Sequence, residues 1–262
     1  MSNEMLDQNF WDDHYKNNTT AWDLGTISPP LKDFFDAIED KDIAILIPGC
    51  GNTYEASYLL DQGFTNITVI DIAPTLIKII QNKFATNLHI EVILGDFFKH
   101  QGEYDLIVEQ TFFCALPPEM RQQYVAKTHQ LLKENGLLAG LLFDRTFDGG
   151  PPFGGDKAFY QSLFEGAFEI LTLETAKNSV LPRADKEVFI KFKKNSAVYA
   201  TVIKVENQNL VLTDYVTTIT TGLEIINSGV NTLSNEVLIV STEEVNLSKA
   251  LDLNGVQFKT VV

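Results

Sequence analysis

Short apolar runs alternate with longer amphipathic segments between about residues 43 and 193. Continuous apolar runs are typical of parallel strands buried on both faces, and the first five runs have this pattern. The runs predict strands at Ile43–Ile47, Ile67–Ile70, Ile90–Leu94, Leu106–Val108, Leu137–Phe143, Phe168–Leu173 and Val188–Phe192. The segments between them predict helices at Thr53–Gln62, Pro74–Phe84, Pro118–Lys133 and Asp156–Phe164. This alternation predicts α/β units around a mostly parallel sheet.

The predicted helix at Pro118–Lys133 has clear end signals. Pro118 stands at its start, Glu119 in its first turn, Lys133 in its last turn and Gly136 just beyond. Pro and acidic residues favour a helix N-terminus, whereas basic residues and Gly favour a C-terminus. We therefore expect this helix to end shortly before Gly136.

After about Asn195 the chain becomes rich in Thr, Val, Asn and Ile. Three β-branched or alternating runs predict strands at Val198–Val205, Leu210–Thr220 and Val237–Ser241, and one helix is predicted near Glu243–Leu251. We expect two domains, residues 1–195 and a small β-rich module at residues 196–262. The boundary between them depends on composition alone.

Charge and cysteine content narrow the functional classes. The 262 residues carry a formal net charge of −15, which disfavours nucleic acid and anionic membrane surfaces as partners. Two cysteines, Cys50 and Cys114, are too few for a multi-disulfide scaffold and lack the spacing of a zinc site. The sequence shows neither a signal peptide nor an apolar run long enough to cross a membrane, so we expect a cytoplasmic protein.

A glycine turn follows the first predicted strand, in Pro48-Gly-Cys-Gly51. Asp71 ends the second strand roughly 20 residues later, where a carboxylate accepts the hydroxyls of an adenosine ribose. Asp96 and Phe97 follow the third strand and offer an acceptor and a ring face for adenine. Each feature also has a structural interpretation: a tight turn, a helix cap before Pro74 and a turn residue. Three matches at successive strand ends favour a nucleoside-containing cofactor.

The residues after the turn select among such cofactors. A dinucleotide site requires a third glycine, and Tyr54 stands there instead. Glu55 at the helix start opposes a pyrophosphate, because an acidic side chain repels an anion. A phosphate-free cation, S-adenosylmethionine, fits these residues better.

Both tryptophans, Trp11 and Trp22, lie ahead of the sheet. They are consistent with the packing of an N-terminal helix and also with an aromatic lid over a sulfonium, through cation–π attraction. The residues alone leave these two interpretations open.

Several motifs resemble the thiopurine S-methyltransferase family, most closely its plant thiol and halide methyltransferases. They span about residues 8–194: Phe10-Trp11, Thr20-Ala-Trp-Asp23, Pro48-Gly-Cys-Gly51, Tyr104-Asp-Leu-Ile107, Phe112-Phe-Cys-Ala115, Pro118-Glu-Met-Arg121 and Gly149-Gly-Pro-Pro-Phe153. The resemblance implies a Rossmann-like class I methyltransferase fold, a seven-stranded sheet with an antiparallel last strand, and S-adenosylmethionine without a metal. It places the cofactor against Trp11, Trp22, Gly49, Asp71, Asp96 and Phe97. Tyr15 and Gln110 depart from relatives that carry tryptophan and tyrosine there, and we expect both to contact the cofactor.

The expected acceptor pocket is aromatic, which suits soft nucleophiles. Its candidates are Phe112, Phe113 and Cys114 after the fourth strand, Phe143 and Arg145 after the fifth, and the Gly149–Phe153 loop. Phe112 and Phe113 are equally consistent with the core, and Cys114 is better interpreted as a small buried apolar residue. His14 is better interpreted as solvated than as an aid to a thiol. No residue is assigned as a catalytic base, because thiols are partly ionised at neutral pH.

Three functions follow from these observations. The first is methyl transfer from S-adenosylmethionine to a small thiol, halide or chalcogen anion. The second is a nicotinamide-dependent oxidoreductase, which the missing third glycine disfavours. The third is a non-enzymatic S-adenosylmethionine-binding protein, with residues 196–262 mediating homo-oligomer assembly or covering the pocket.

Overall fold

A computed structural model describes residues 6–195 and the backbone of three later strands, at residues 198–206, 209–219 and 237–240. The chain divides into two units between Lys194 and Asn195. Within the described residues, no helix combines the length and apolar character needed to cross a membrane.

The first unit contains one mixed sheet of seven strands. Its spatial order is β3-β2-β1-β4-β5-β7-β6, and β7 runs antiparallel to both of its neighbours. The strands are β1 Ile45–Pro48, β2 Ile67–Asp71, β3 Ile90–Leu94, β4 Tyr104–Gln110, β5 Leu132–Phe143, β6 Phe168–Thr175 and β7 Glu187–Lys194. The predicted α/β, Rossmann-like sheet with an antiparallel last strand is confirmed.

In the described part of the chain, six α-helices flank this sheet: α1 Gln8–Lys16, α2 Pro29–Asp36, α3 Tyr54–Asp61, α4 Pro74–Lys83, α5 Arg121–Leu131 and α6 Lys157–Phe164. Asp7 caps α1 by accepting a 2.9 Å hydrogen bond from the Phe10 amide. Helix α2 was not predicted from the sequence, because its eight residues give only a short pattern. Leu31 and Phe35 lie on one face of α2, and both are completely buried.

The predicted helix at Pro118–Lys133 requires correction at both ends. A 3₁₀ turn occupies Pro118–Met120, and α5 ends at Leu131. Leu132 already pairs with Tyr104, and the ladder resumes five residues later at Leu137. Gly136 therefore lies inside β5 rather than beyond a helix. A Cβ added at Gly136 would lie 2.9 Å from the carbonyl oxygen of Lys133, so this close approach of the backbone requires glycine.

The core lies against both faces of the sheet. Ile45 and Val69 of the central strands are fully buried, as are Leu76 of α4 and Leu59 of α3. Since the carboxyl ends of parallel strands meet at one edge, β1, β2 and β4 place their last residues together, where open α/β sheets bind ligands.

The second unit contains an antiparallel sheet of order β10-β8-β9, with β8 at Val198–Glu206, β9 at Asn209–Ile219 and β10 at Val237–Val240. All three predicted strands are present. The helix predicted near Glu243–Leu251 lies outside the described residues.

Candidate functional site

A cavity of about 1450 Å³ opens at the carboxyl edge of the sheet. Pockets for one small molecule typically measure roughly 300–1,000 Å³, so this cavity has room for a cofactor and a second ligand. Residues of α1 and the following loop line one side, and the ends of β1 to β5 line the base. The 150–153 loop and the 182–186 segment complete it.

The backbone conformation and the neighbouring side chains require glycine in this turn. Gly49 and Gly51 have φ values of +54° and +50°. A Cβ on Gly49 would lie 2.2 Å from the ring of Phe112, so no other residue fits there. A Cβ on Gly51 would have the Tyr15 hydroxyl as its nearest neighbour, at 3.5 Å. The turn thus keeps the backbone open toward the cavity beneath α1.

Asp71 is 8% exposed and lies beside this turn. One carboxylate oxygen accepts the Gly51 amide at 3.2 Å, and the other accepts the Ala73 amide at 3.0 Å. Burial raises the pKa of Asp71, and these two bonds partly oppose that effect. Asp71 is therefore not the N-cap of α4, which is Ala73, but accepts the amide of that residue, and each oxygen keeps a further lone pair for a ligand hydroxyl.

Asp96 and Phe97 also combine a local role with a place in the cavity wall. Asp96 accepts the Phe98 amide at 2.9 Å, as a turn residue does. The Phe97 ring is buried and meets Phe112 edge-on, with 5.3 Å between ring centroids. Both side chains line the cavity next to the end of β3.

The N-terminal aromatic residues form a roof over the glycine turn. Trp22 lies edge-on to Trp11 and to Tyr15, at centroid distances of 5.6 and 6.2 Å, and all three line the cavity. Asp23 ties their loop to the turn by accepting hydrogen bonds from Asn52 and, at 3.2 Å, from the Tyr54 hydroxyl. Burial, together with the nearby Asp71 carboxylate, raises the pKa of Tyr15, so its hydroxyl remains a donor.

Gln110 ends β4 and lines the cavity wall. Its amide oxygen is buried and has no hydrogen-bond partner within the described part of the chain. The Thr53 hydroxyl, in the same wall, shares this property. A buried acceptor without a donor is costly, so these two atoms are candidates for ligand contacts.

These side chains fit S-adenosylmethionine. Among the described residues between Gly49 and Phe98, the cavity wall contains carboxylates and aromatic rings but no Lys or Arg. Such a wall accepts ribose hydroxyls and a sulfonium, and it offers no side-chain cation to a phosphate. We call this half of the cavity the cofactor half. Its wall contains Trp11, Tyr15, Trp22, Gly49, Gly51, Asp71, Asp96, Phe97 and Gln110.

The other half contains most of the expected acceptor residues. Phe112, Cys114, Phe143, Arg145 and the loop ending at Phe153 line it, and Phe147 and Arg183 join them. The Phe153 amide donates to the Cys114 carbonyl at 2.6 Å and holds the loop against the 3₁₀ turn after β4. We call this the acceptor half.

Phe113 is a correction to the expected pocket. It is fully buried and absent from the cavity wall. Its ring packs against Tyr124, Tyr160 and Phe164, at centroid distances of 5.1 to 6.0 Å. The 3₁₀ turn points Phe112 to the cavity and Phe113 to the core, so the core interpretation holds for Phe113.

Cys114 and His14 have local partners. The Cys114 thiol is buried and lies 3.3 Å from the Thr111 carbonyl, and burial raises its pKa well above the usual range. Such a thiol is a poor nucleophile. The His14 ring nitrogen lies 2.9 Å from the Thr19 hydroxyl at the rim of the cavity.

Arg183 was not anticipated from the sequence. It is 8% exposed, and its guanidinium lies 3.3 Å from the Glu187 carboxylate and 5.5 Å from the centre of the Phe143 ring. It also donates to the Trp22 carbonyl at 2.7 Å. A single arginine in a short segment between two strands carries no sequence signal that distinguishes it from a surface residue.

Glu109 was also missed, although it had a signal. It is an acidic residue directly after the apolar run of β4. It is fully buried and accepts the Phe112 and Phe113 amides at 2.8 and 2.9 Å and the Tyr124 hydroxyl at 2.6 Å. Burial raises its pKa to about 7. Glu109 thus fixes the 3₁₀ turn that carries Phe112 into the cavity.

Comparisons with known proteins identify the family of the chain. The family model for thiopurine S-methyltransferase matches residues 6–201. The chain is 28% identical to probable thiol methyltransferase 2 of Arabidopsis thaliana, over 73% of this chain and 88% of that protein. It is 26% identical to thiocyanate methyltransferase 1 of Brassica oleracea, over 73% and 87%. Thiopurine S-methyltransferase of Aliivibrio fischeri is 26% identical over 62% and 84%.

Solved structures show the same fold. A Burkholderia thailandensis 1,6-didemethyltoxoflavin-N1-methyltransferase with bound S-adenosylhomocysteine aligns with a TM-score of 0.58 and 16% identity, over 72% of this chain and 87% of that one. A TehB-like methyltransferase from Corynebacterium glutamicum gives a TM-score of 0.52 and 19% identity, over 72% and 98%. The chain belongs to the thiopurine S-methyltransferase family and is an S-adenosylmethionine-dependent methyltransferase with the class I fold.

Proposed function

We propose that the protein transfers a methyl group from S-adenosylmethionine to a small, soft nucleophile, either a thiol or an anion such as thiocyanate, a halide or a chalcogen species. The observation that carries this proposal is the contrast between the two halves of the cavity. The described wall of the cofactor half has no Lys or Arg, whereas Arg145, Arg183 and Lys186 line the acceptor side. Arg183 is paired with Glu187, so Arg145 and Lys186, which form no ion pair within the described residues, are the cations that favour an anionic acceptor in a protein of net charge −15.

The names of the relatives support the same acceptor class. Thiol and thiocyanate methyltransferases are among them. A thiolate and thiocyanate share a soft, polarizable sulfur, which suits an aromatic wall such as that formed by Phe112, Phe143 and Phe153. Arg145 stacks on Phe147 at 4.5 Å and is exposed, so we assign it to the entrance, with Arg183 deeper.

The chemistry requires little from the protein beyond placement. S-adenosylmethionine, when bound, supplies an electrophilic methyl group on its sulfonium. Displacement is in line, so the protein must hold the nucleophile about 3–3.5 Å from that carbon and exclude water. Asp71 and the glycine turn would hold the ribose, and Trp11, Tyr15 and Trp22 would shield the sulfonium. Since a thiol of pKa near 8.5 is partly ionised at neutral pH, no general base is assigned.

The test is a methyl-transfer assay over thiols, thiocyanate, iodide, thiopurine and tellurite, with calorimetric titration of S-adenosylhomocysteine beside it. We expect binding of the demethylated product and turnover with at least one soft acceptor. Binding without turnover over the whole panel would favour a non-enzymatic binding protein. Binding of NADH in place of S-adenosylhomocysteine would favour the oxidoreductase.

We further propose that residues 1–195 form the catalytic domain and that residues 196–262 form a β-rich module that mediates homo-oligomer assembly or covers the pocket. Among the residues whose side chains the structure describes, those of the cavity wall all precede residue 187, which supports a catalytic role for the first unit. A chain truncated after Lys194 tests this division. Unchanged mass by light scattering together with unchanged turnover would refute both roles of the module.

We also propose a cytoplasmic location. Cys50 and Cys114 are both free and buried thiols, which is consistent with a reducing compartment. Fractionation of cells that produce the tagged protein tests this location, and recovery outside the cytoplasm would contradict it.

A further inference from the structure

The loop part of the roof is held by Asp23 and by the Trp22 carbonyl, whereas its helical part, α1, makes a polar contact with α4 through one buried carboxylate, Asp12. Asp12 is 6% exposed, although it lies on a helix at the surface. One of its oxygens accepts the Thr75 amide at 2.6 Å, and the other lies 2.9 Å from the Lys16 ammonium. Asp12 therefore contacts α4 at one residue, Thr75, through its backbone amide and next to its side-chain hydroxyl.

That donor belongs to the first turn of α4. The helix begins with Pro74, and its preceding residue, Ala73, has no side chain able to cap it. Its free amides are satisfied from outside: Asp71 of β2 accepts Ala73, and Asp12 of α1 accepts Thr75. Two carboxylates from different elements thus meet at one helix start, where negative charge is favoured.

The two partners differ in how firmly they are held. Helix α4 buries Leu76, Ile77 and Ile80 in the core, so its start is a fixed point. In helix α1 only Asp12 is buried; Trp11 and Tyr15 are partly buried, pack against the core and line the cavity. The Asp12–Thr75 hydrogen bond adds a directional contact to this packing and fixes α1, with its two rings, on the start of α4.

We propose that Asp12 is a positioning residue that docks α1 on the start of α4 and so holds the aromatic roof over the cofactor. The inference rests on the proposed placement of S-adenosylmethionine in the cofactor half. When the bond is absent, α1 separates from α4, and the cofactor loses the face formed by Trp11 and Tyr15. The acceptor half is formed by other segments and keeps its geometry.

The chain supplies a matched control for the test. Asp13 is the next residue on α1, carries the same charge and lies 3.0 Å from the same Lys16 ammonium, but it is exposed. We expect Asp12→Ala to weaken binding of S-adenosylhomocysteine about tenfold, the effect of one charge-assisted hydrogen bond. Asp13→Ala should stay within about twofold of the wild type. Equal affinities for the two variants would overturn the proposal.

Two further variants separate the hydrogen bond from folding and charge. Asp12→Asn keeps an acceptor oxygen and should restore most of the affinity. Thr75→Pro removes the donor at a first-turn position where proline is tolerated, and α2 itself begins with two prolines. We expect Thr75→Pro to match Asp12→Ala, and the double variant to bind no more weakly than either. Additive losses, or an Asn variant as weak as the Ala variant, would contradict the assigned bond.

The protein without cofactor gives an independent measurement. Trp11 and Trp22 are the only tryptophans, so intrinsic fluorescence reports on the roof directly. We expect Asp12→Ala, but not Asp13→Ala, to shift this emission to the red and to speed amide exchange in α1. In kinetics, KM for the cofactor should rise while KM for the acceptor stays unchanged. If the wild type fails to bind S-adenosylhomocysteine, the proposed function fails; unchanged fluorescence and exchange in Asp12→Ala refute only this inference.

Discussion

The guanidinium of Arg183 donates a hydrogen bond to the carbonyl oxygen of Trp22 at 2.7 Å. This bond joins the segment between β6 and β7 to the N-terminal loop that carries part of the roof. The same guanidinium pairs with Glu187 at 3.3 Å and borders the acceptor half. One buried cation therefore connects the wall of the acceptor half to the cover of the cofactor half.

Arg183→Met is expected to reduce the free energy of unfolding by about 3 kcal/mol, because it leaves the Glu187 carboxylate buried without its partner. Chemical denaturation measures this loss. The double variant Arg183→Met/Glu187→Leu should recover most of the stability, because it removes the uncompensated charge.

The double variant also separates structure from function. We expect its KM for an anionic acceptor to remain at least about tenfold raised, because the cation that faces the acceptor is gone. Its KM for the cofactor should change much less. Recovery of acceptor KM together with stability would show that Arg183 acts only in the fold.

Asp71→Asn should weaken S-adenosylhomocysteine binding by about 1.5–3 kcal/mol, because charge-assisted hydrogen bonds to the ribose become neutral ones. The Asn oxygen can still accept the Ala73 amide before α4, whereas its NH₂ group cannot accept the Gly51 amide, so the loss includes the bond that holds the glycine turn. Calorimetry measures the affinity, with Asp61→Asn at the exposed end of α3 as the charge control. An affinity equal to that of the control would remove Asp71 from the site.

Glu109 predicts a pH dependence of stability. Its pKa is raised from about 4.5 in the unfolded chain to about 7 in the native protein, so between these values the native state binds more protons. The contribution of this group to the free energy of unfolding therefore falls by on the order of 3 kcal/mol as pH rises from about 4.5 to 7. Above about pH 7 the contribution levels off. Glu109→Gln should remove this part of the pH dependence.

Denaturation of the wild type and of Glu109→Gln at several pH values between 5 and 8 checks this prediction. Gln keeps an oxygen for the Phe112 and Phe113 amides, so the 3₁₀ turn should persist. Glu119→Gln, on the exposed side of the next 3₁₀ turn, is the control. A parallel pH profile for wild type and Glu109→Gln would show that the carboxyl has an ordinary pKa.

Much of the site was accessible from the sequence, because strand ends determine where side chains meet. Gly49, Asp71 and Asp96 each follow an apolar run, and parallel strands bring such positions to one edge. The N-terminal tryptophans were open to two interpretations. The structure places them over the turn because Asp23 bonds to Asn52 and Tyr54, a contact between distant segments that no local pattern shows.

The errors have physical causes of the same kind. Phe112 and Phe113 are identical neighbours, and tertiary contacts determine which of them enters the core: Glu109 accepts both of their amides, and the Phe113 ring packs against Tyr124 and Tyr160. The end of α5 was misplaced because Gly136 serves a close backbone approach in β5 rather than a helix cap. Both outcomes depend on residues far along the chain, which propensity and spacing do not include.

The two cysteines should be unreactive in the native protein. Burial raises the pKa of both Cys50 and Cys114, so almost no thiolate is present at pH 8. We expect a disulfide reagent such as DTNB to label neither thiol until guanidinium unfolds the chain, when both react. Fast labelling of one thiol in the native state would contradict the buried positions.

Cys114 lines the acceptor half, and its substitution tests whether the thiol takes part in methyl transfer. Cys114→Ala removes a small buried group, so we expect a loss of about 1 kcal/mol in stability. Turnover should remain within about threefold of the wild type, because the substitution removes packing but no reacting group. Cys50→Ala, on the cofactor side, is the matched control. Loss of turnover in Cys114→Ala alone, with the fold and S-adenosylhomocysteine affinity retained, would instead make the thiol a reacting group.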